Sequence, residues 1–357
     1  MKRAQTVAND RSWTSRRRKV AIPFIAELPA GQVRIAAIVV THNRLDQLRL
    51  TVVRLLAERL DHLVVVDNAS TDDTGDWLAA ERDPRLHVIR TERNLGGAGG
   101  FRVGLAEAIG RFDPDWCVVM DDDARPEPGM IQRFRDEAGG FAEGGWQAVA
   151  AGVRYPNGRI CEMNRPSRNP FWHGRDFLRT ALGGGRSGFH LRDDDYGAEA
   201  LQQIDATSFV GLFLSRAAIE RVGLPDGRLF LYGDDVIYTL RLSRAGGRIG
   251  FAPWLRFEHD CSTFENDARA GTRVYRPLWK VYYNYRNGLI GYRLAAGPVF
   301  YWPILALMAS KWFWLSRSYG PQAGMFRALL AMAIRDAIVG HCDRPHAEIV
   351  SFASGRG

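Results

Sequence analysis

Cysteine is scarce in this chain, with four among 357 residues, at positions 117, 161, 261 and 342, and no CxxC spacing. That scarcity excludes a disulfide-stapled scaffold, a zinc knuckle and a thioredoxin-type pair, so the four read as free thiols in a reducing compartment, outside any Cys/His cluster. Long apolar runs are lacking too. The basic stretch 1–19 leads only into residues 20–25, which Pro23 interrupts, so no secretory signal is expected and the chain is placed in the cytoplasm. Residues 294–310 carry no charge, but they number 17 against the ~20 that span a bilayer, and they contain Gly297, Pro298 and Pro303. No internal repeat is visible. What is present, 46% hydrophobic and 25% charged residues, describes a globular chain long enough for one large domain or two ordinary ones.

The net charge of +8 is unevenly spread. Residues 1–30 hold 7 Lys/Arg against 2 acids and residues 268–357 hold 12 against 3, which leaves 29 against 35 between them. With an acidic body, nucleic acid is not the expected partner. Basic ends flanking an apolar segment suit an anionic membrane surface, at roughly 1 kcal/mol per Lys or Arg near acidic lipid. Tyr301, Trp302, Trp312, Phe313 and Trp314 are residues of the kind that settle at the headgroup level, and 325–339 forms a second apolar helical pattern. A pair of C-terminal helices lying on the inner face of the membrane is the expectation, with a buried core helix as the alternative.

From residue 34 onward short apolar runs alternate with helical patterns. Strands are expected at 34–41, 62–66, 86–89 and 116–120, and helices at 45–60, 74–81 and 100–109. This βαβα order predicts an α/β fold, a mostly parallel sheet with helices on both faces. The alternation breaks at 155–199, a stretch rich in Gly, Arg, Pro and Asp that reads as a substrate-covering insertion. A strand at 208–214, a helix at 216–222, an apolar run 229–232, a helix at 236–245 and a short strand at 248–252 follow. The implied division is a basic arm 1–32, a main domain 33–267 containing the insertion, and a helical region 268–357.

Ligands of such sheets sit at the carboxyl ends of the strands. The fourth strand ends in Asp121-Asp122-Asp123. Alternate residues of an extended segment share a side, so Asp121 and Asp123 can face one cation, Mg²⁺ or Mn²⁺, while Asp122 faces away. The second strand ends in Asp67-Asn68, suited to a ribose or a base, and the first ends in Thr41-His42-Asn43-Arg44, small polar groups and a cation at the same edge. Residues 94–101, Asn-Leu-Gly-Gly-Ala-Gly-Gly-Phe, do not make a dinucleotide fingerprint, because Arg102 stands where the third glycine is needed; they permit close backbone approach instead. Gly233-Asp234-Asp235 opens a helix, where one carboxylate can cap and the other is free for acid-base work. His259, in Glu258-His259-Asp260 after the last short strand, is a further candidate ligand. Asp193-Asp194-Asp195 follows no apolar strand and reads as a solvated loop.

Taken in order and spacing, Arg34 to Asn43, Val66-Asp67-Asn-Ala-Ser, Met120-Asp-Asp-Asp123, Gly233-Asp-Asp235 and Glu258-His259 resemble a family 2 glycosyltransferase of GT-A fold, over about 34–287. Asn94 to Phe101 and Tyr282-Tyr-Asn-Tyr-Arg-Asn287 look most like the bacterial galactofuranosyltransferase and rhamnosyltransferase branch. The resemblance implies Asp121, Asp123 and His259 as ligands of Mn²⁺ or Mg²⁺, and Asp235 as catalytic base with Asp234 its neighbouring competitor. It implies donor contacts at Thr41, Asn43, Arg44, Asp67, Asn94, Gly97, Asp121 and Asp122. The implied reaction is inverting transfer of galactofuranose from UDP-galactofuranose to a polyprenyl-diphosphate-linked oligosaccharide, with dTDP-rhamnose the alternative donor. A nucleotidyltransferase would need a Gly-rich basic loop after the first strand, which 41–45 lacks, and a non-catalytic binder has no use for a base.

Overall fold

The computed structural model describes residues 33–261 and 275–355. The basic arm 1–32 lies outside the described residues. The first strand, β1 (Ile35–Thr41), is buried along its whole length, and its two faces feed two cores. Ile35, Ala37 and Val39 point into one, with Leu48, Val52 and Leu55 of α1 (Leu45–Leu56) and Ile131, Phe134 and Ala138 of α4 (Met130–Glu143). Ala36, Ile38 and Val40 point into the other, with Phe101 and Leu105 of α3 (Gly96–Glu107). A strand apolar on both faces belongs inside a sheet covered by helices on both sides.

Around β1 the order is that of an open α/β sheet. β2 (His62–Asp67) and β4 (Trp116–Asp121) pair parallel to its two edges, and β3 (Leu86–Arg90) pairs parallel to β2, with α2 (Thr74–Ala80) connecting them. Because Thr41 is opposite Asp67 and Val40 is opposite Asp121, three strand ends with polar residues finish at one level. Beyond β4 the sheet becomes mixed. β8 (Leu212–Ser215) runs antiparallel to both β4 and β6 (Trp146–Arg154), β6 pairs parallel to β9 (Arg248–His259), and β5 (Ala124–Pro126) and β7 (Gln202–Ile204) lie antiparallel to β9.

Four elements differ from the sequence expectation. β9 does not stop at Ala252: Pro253 lacks an amide hydrogen, and the ladder steps over it through a register shift, pairing Ala151 with Ala252 and then Gly152 with Arg256. His259 is therefore the last residue of a long strand and stands opposite Ala124 of β5. The run 208–214 is strand only from Leu212. Residues 229–232 form no strand: Phe230, Tyr232 and Gly233 have φ of 65°, 68° and 73°, which breaks any extended run. The glycine run is helical from Gly96, four residues earlier than expected. The insertion is built of short helical turns, including α5 (Gly174–Arg179), and buries Cys161, Asn164, Leu191 and Tyr196. Asp193 and Asp194 are exposed, as a solvated acidic turn requires.

After α6 (Arg216–Val222) and α7 (Asp234–Arg244), the C-terminal part holds α8 (Lys280–Leu315), α9 (Ala323–Val339) and α10 (His346–Ala353). Gly297, with φ 67° and Pro298 behind it, breaks α8 in two. Before the break Tyr282, Tyr283, Tyr285, Arg286 and Asn287 are buried; after it Val299, Trp302, Leu307, Phe313 and Trp314 are exposed. α9 turns Phe326, Leu329, Leu330 and Ala333 into a core shared with the tyrosines of α8, so the second helix of the expected surface-lying pair spends much of its apolar face inward. Among the described residues, no helix is long and apolar enough to cross a membrane.

Glycine is what lets α3 settle on the sheet. A Cβ on Gly100 would stand 2.4 Å from Val40 Cγ1, and one on Gly104 would stand 2.5 Å from Ile38 Cγ2 and 3.0 Å from Val66 Cγ2. Gly104→Val should therefore destabilise the fold by about 1–3 kcal/mol through overpacking, read as a lower urea midpoint. An unchanged midpoint would mean that α3 does not pack this closely.

Candidate active site

The end of β4 gathers like charges in a buried edge, and the neighbouring elements answer them one by one. Asp122 is buried and has partners of its own: its Oδ2 accepts a hydrogen bond from Thr41 Oγ1 at 2.7 Å, and its Oδ1 is 3.2 Å from Arg44 Nη1. Asp123 Oδ2 accepts from Arg44 Nη2 at 2.8 Å, while its Oδ1 is 3.1 Å from His259 Nε2. Thr41 and Arg44 thus spend their polar groups on the acidic cluster, and Asp122 sits in a structural position. Asp121, Asp123 and His259 remain as a group, each offering one ligand atom, all within 4.8 Å of one another.

The electrostatics follow from burial. Burial first, and then the charge of Asp123, push Asp121 up to about 7. Burial also raises Asp122, to about 6, against the opposing pull of Arg44. For Asp123 burial acts in the same direction, but the His259 hydrogen bond and charge together with Arg44 outweigh it and bring the carboxyl down to about 2. Burial lowers His259, yet its contacts with Asp123 and Cys161 and the charge of Asp121 win and raise the imidazole to about 10. Two carboxylates and an imidazole, one carboxylate held against its own tendency to neutralise, are a donor set that a hard divalent cation fits.

At the end of β2, Asp67 is fully buried. Its Oδ1 accepts from Ser70 N at 2.8 Å, but its Oδ2 has no hydrogen-bond partner, with Arg90 Nε at 3.6 Å the nearest charge. An orphaned buried carboxylate oxygen is costly unless something else donates to it. Asn43, at φ 54°, accepts from Thr71 N through Oδ1 at 2.7 Å and donates its own N–H to Ser70 Oγ at 3.0 Å, so it fixes the turn after β2. Asn94 Oδ1 accepts from Gly96 N at 2.7 Å and from Asn68 Nδ2 at 3.1 Å. Asn68, read from the sequence as part of a strand end suited to a ribose or a base, is instead the pin between β2 and α3: it also accepts from Leu95 N at 2.8 Å and donates to Gly96 O at 3.0 Å. The glycines of 94–101 divide by role. Gly99 and Gly100 face Leu95 and Val40, whereas nothing lies within 4 Å of where a Cβ of Gly97 would stand.

Gly233 is the N-cap of α7 at φ 73°, and no side chain caps this helix. Asp235 Oδ1 instead accepts from the adjacent Val236 N at 2.7 Å. Asp234 is nearly fully buried, 9% exposed, and burial followed by the charge of Asp235 raises its carboxyl well above the usual range. Asp235 is more open; burial, opposed by backbone N–H groups, pushes it up to about 6. Its charge is one of those that raise Asp121, so the α7 and β4 carboxylates share one electrostatic environment. Asn287 holds the turn leading into α7: its Nδ2 lies 3.0 Å from Leu229 O, 2.9 Å from Leu231 O and 2.8 Å from Tyr232 O, beside a buried Arg286 that donates to Leu229 O at 2.9 Å.

The expectation of four scattered thiols is corrected at this edge. Cys161 N donates to Val153 O at 3.1 Å at the end of β6, and the β6 pairing with β9 brings Cys161 Sγ to 3.8 Å from Cys261 Sγ, beside His259. Residues 100 apart in sequence meet because of a strand pairing that no local pattern announces.

The family model described as Glycosyl transferase family 2 matches residues 36–189. Galactofuranosyltransferase GlfT1 of Mycobacterium tuberculosis is 32% identical over 241 residues, 65% of this chain and 71% of that protein. Undecaprenyl-phosphate mannosyltransferase of Micrococcus luteus is 32% identical over 228 residues, 62% of this chain and 82% of that protein. Among solved structures, S. aureus TarS 1-349 in complex with UDP-GlcNAc aligns with a TM-score of 0.52 at 15% identity, over 91% of this chain and 93% of that one, a likeness of fold alone. The chain belongs to glycosyl transferase family 2. It is a glycosyltransferase with a GT-A-like fold.

Removing the Asn287 amide leaves buried carbonyls unsatisfied at about 1–3 kcal/mol and frees the turn that sets Asp234 and Asp235. Asn287→Ala should lower both the urea midpoint and kcat, with less change in nucleotide affinity. A variant as stable and as active as the parent would contradict this role.

Proposed function

We propose that the protein transfers galactofuranose from UDP-galactofuranose, with inversion, to a lipid-diphosphate-linked oligosaccharide, and that it does so at the edge where Asp121, Asp123 and His259 face Asp235. The observation that supports this reading is a hard-cation donor set at the ends of β4 and β9 beside a partly open carboxylate, Asp235, whose charge is felt by Asp121. Asp121, Asp123 and His259 would hold the ion. A bound Mn²⁺ or Mg²⁺ would neutralise the charge of the departing diphosphate. Asp67 Oδ2, buried and unpartnered, would accept from the donor's base, and the open space over Gly97 would admit the sugar. Asp122, Thr41, Arg44, Asn43 and Asn94 act one step back, holding these groups in place.

Asp235 takes the proton from the acceptor hydroxyl as that oxygen attacks the anomeric carbon from the face opposite the diphosphate. Asp234 is less suited, since it is the more buried of the two and burial, with the charge of Asp235, raises its carboxyl well above the usual range. The identity to GlfT1 supports galactofuranose, and the Micrococcus relative supports a polyprenyl-linked substrate. The exposed Val299, Trp302, Leu307, Phe313 and Trp314 of α8 supply a face for the lipid that carries the acceptor.

Chelation should abolish turnover and Mn²⁺ should restore it; full activity in excess chelator contradicts the cation assignment. A base must be unprotonated, so kcat should fall as pH drops through about 6, the value toward which burial pushes Asp235. Asp235→Asn should cost at least about 10²-fold in kcat with UDP affinity retained; the same loss from Asp234→Asn alone would transfer the role. Supplied with each nucleotide sugar and a membrane lipid extract, the enzyme should use UDP-galactofuranose. Transfer from dTDP-rhamnose alone would overturn the donor.

The intact chain should sediment with anionic vesicles, and Trp302→Glu with Trp314→Glu should weaken this. Equal sedimentation of both forms would remove α8 from the lipid contact.

A further inference from the structure

We propose that Cys161, Cys261 and His259 form a second cation site, selective for a thiophilic divalent ion such as Zn²⁺ and built back to back with the carboxylate site on the same imidazole. The two sulfurs are 3.8 Å apart. A tetrahedral ion with metal–sulfur bonds of about 2.3 Å places two thiolates about 3.8 Å apart along one edge, so the pair is already spaced for shared coordination. One ligand atom from each of Cys161, Cys261 and His259 lies within 4.8 Å of the others. Cys161 is fully buried, and Cys261 and His259 are 3% and 5% exposed, which keeps bulk water from competing for the ion. Cys261 takes a left-handed backbone, φ 50°, on leaving β9.

The ring of His259 has a different chemistry on each side. Nε2 lies 3.1 Å from Asp123 Oδ1, whereas Nδ1 lies 2.7 Å from Asn164 Oδ1, and the same Asn164 oxygen accepts from Cys161 Sγ at 3.0 Å. Asn164 Nδ2 donates to Ser208 Oγ at 2.8 Å, at the end of the amide away from the thiols. Two sulfurs, Nδ1 and the Asn164 oxygen make up a four-donor set. Thiolates select Zn²⁺ and its relatives, while carboxylates suit Mg²⁺ and Mn²⁺, so one wall of the cleft discriminates between two classes of ion. Binding replaces the thiol and Nδ1 hydrogens, which pass to solvent as protons.

A neutral imidazole offers one lone pair, so His259 cannot ligate at both nitrogens in that form. Zn²⁺ at the thiols therefore withdraws the third ligand of the acidic group and should weaken Mn²⁺ binding on the order of tenfold or more. That consequence rests on the cation reading of Asp121 and Asp123; the thiol site does not.

The full chain, reduced with a phosphine and stripped of metal, would be titrated with Co²⁺ while sulfur-to-cobalt charge-transfer absorption is followed. One equivalent should produce the band and Zn²⁺ should bleach it. The band should vanish in Cys161→Ala and in Cys261→Ala but persist in Cys342→Ala, which removes a thiol outside the cluster, and in Asp121→Asn. No band in the parent chain, or one that survives both cluster substitutions, would overturn the proposal; the parent titration decides even if a variant fails to fold. Because the readout is spectroscopic, a missing band alongside Mn²⁺-dependent turnover removes the thiol site alone, and a band alongside chelator-resistant turnover removes the acidic site alone.

Discussion

Three consecutive aspartates at the end of β4 put like charge into a buried strand edge, and the arrangement of the site follows from how that repulsion is met. Even with their partners in place, two of them drift toward the neutral form: Asp121 rises to about 7 and Asp122 to about 6. Arg44, arriving from the turn after β1, reaches Asp122 and Asp123; Thr41 reaches Asp122; His259, delivered by the end of β9, reaches Asp123. The partners come from two other strand ends, those of β1 and β9. The cluster therefore also reports that β1, β4 and β9 finish at the same level.

That requirement explains the long β9. A strand ending at Ala252 would leave His259 in a loop, free to swing from Asp123. Carrying the ladder past Pro253 by a register shift fixes the histidine opposite Ala124, beside β4. The same extension draws Cys261 to Cys161, so the thiol cluster is a by-product of the geometry that holds the imidazole. Asn287 ties the carbonyls of Leu229, Leu231 and Tyr232, in the turn before α7, to a helix of the C-terminal region. The C-terminal helices thus support the placement of Asp235 as well as carrying exposed aromatic surface.

Much of the β3-β2-β1-β4 half was legible in the sequence, because short apolar runs bounded by polar strand ends have few other readings. The acidic residues after β4 and the pair opening α7 were legible for the same reason: carboxylates next to buried elements need a cause. The rest depended on contacts between distant segments. Asn164 acts on His259 from an insertion with no period, and Asn68 works through hydrogen bonds to a helix whose first turn the sequence did not announce. Two glycines of that helix, Gly100 and Gly104, let α3 lie against Val40 and Ile38, the close approach that the run 94–101 allows without naming its partner. Residues 229–232 carry β-type side chains, yet their positive φ values are imposed by the turn that Asn287 holds.

The central claim is that Asp121, Asp123 and His259 hold one cation at the carboxyl edge of the sheet, within reach of a nucleotide diphosphate and across from Asp235. Anomalous diffraction from crystals grown with Mn²⁺ and UDP tests it most directly. The account predicts one dominant manganese peak at ligand distance from an oxygen of Asp121, an oxygen of Asp123 and Nε2 of His259, with diphosphate oxygens completing its shell. A bound UDP whose diphosphate lies away from this trio, or a manganese peak elsewhere in the cleft, would contradict it.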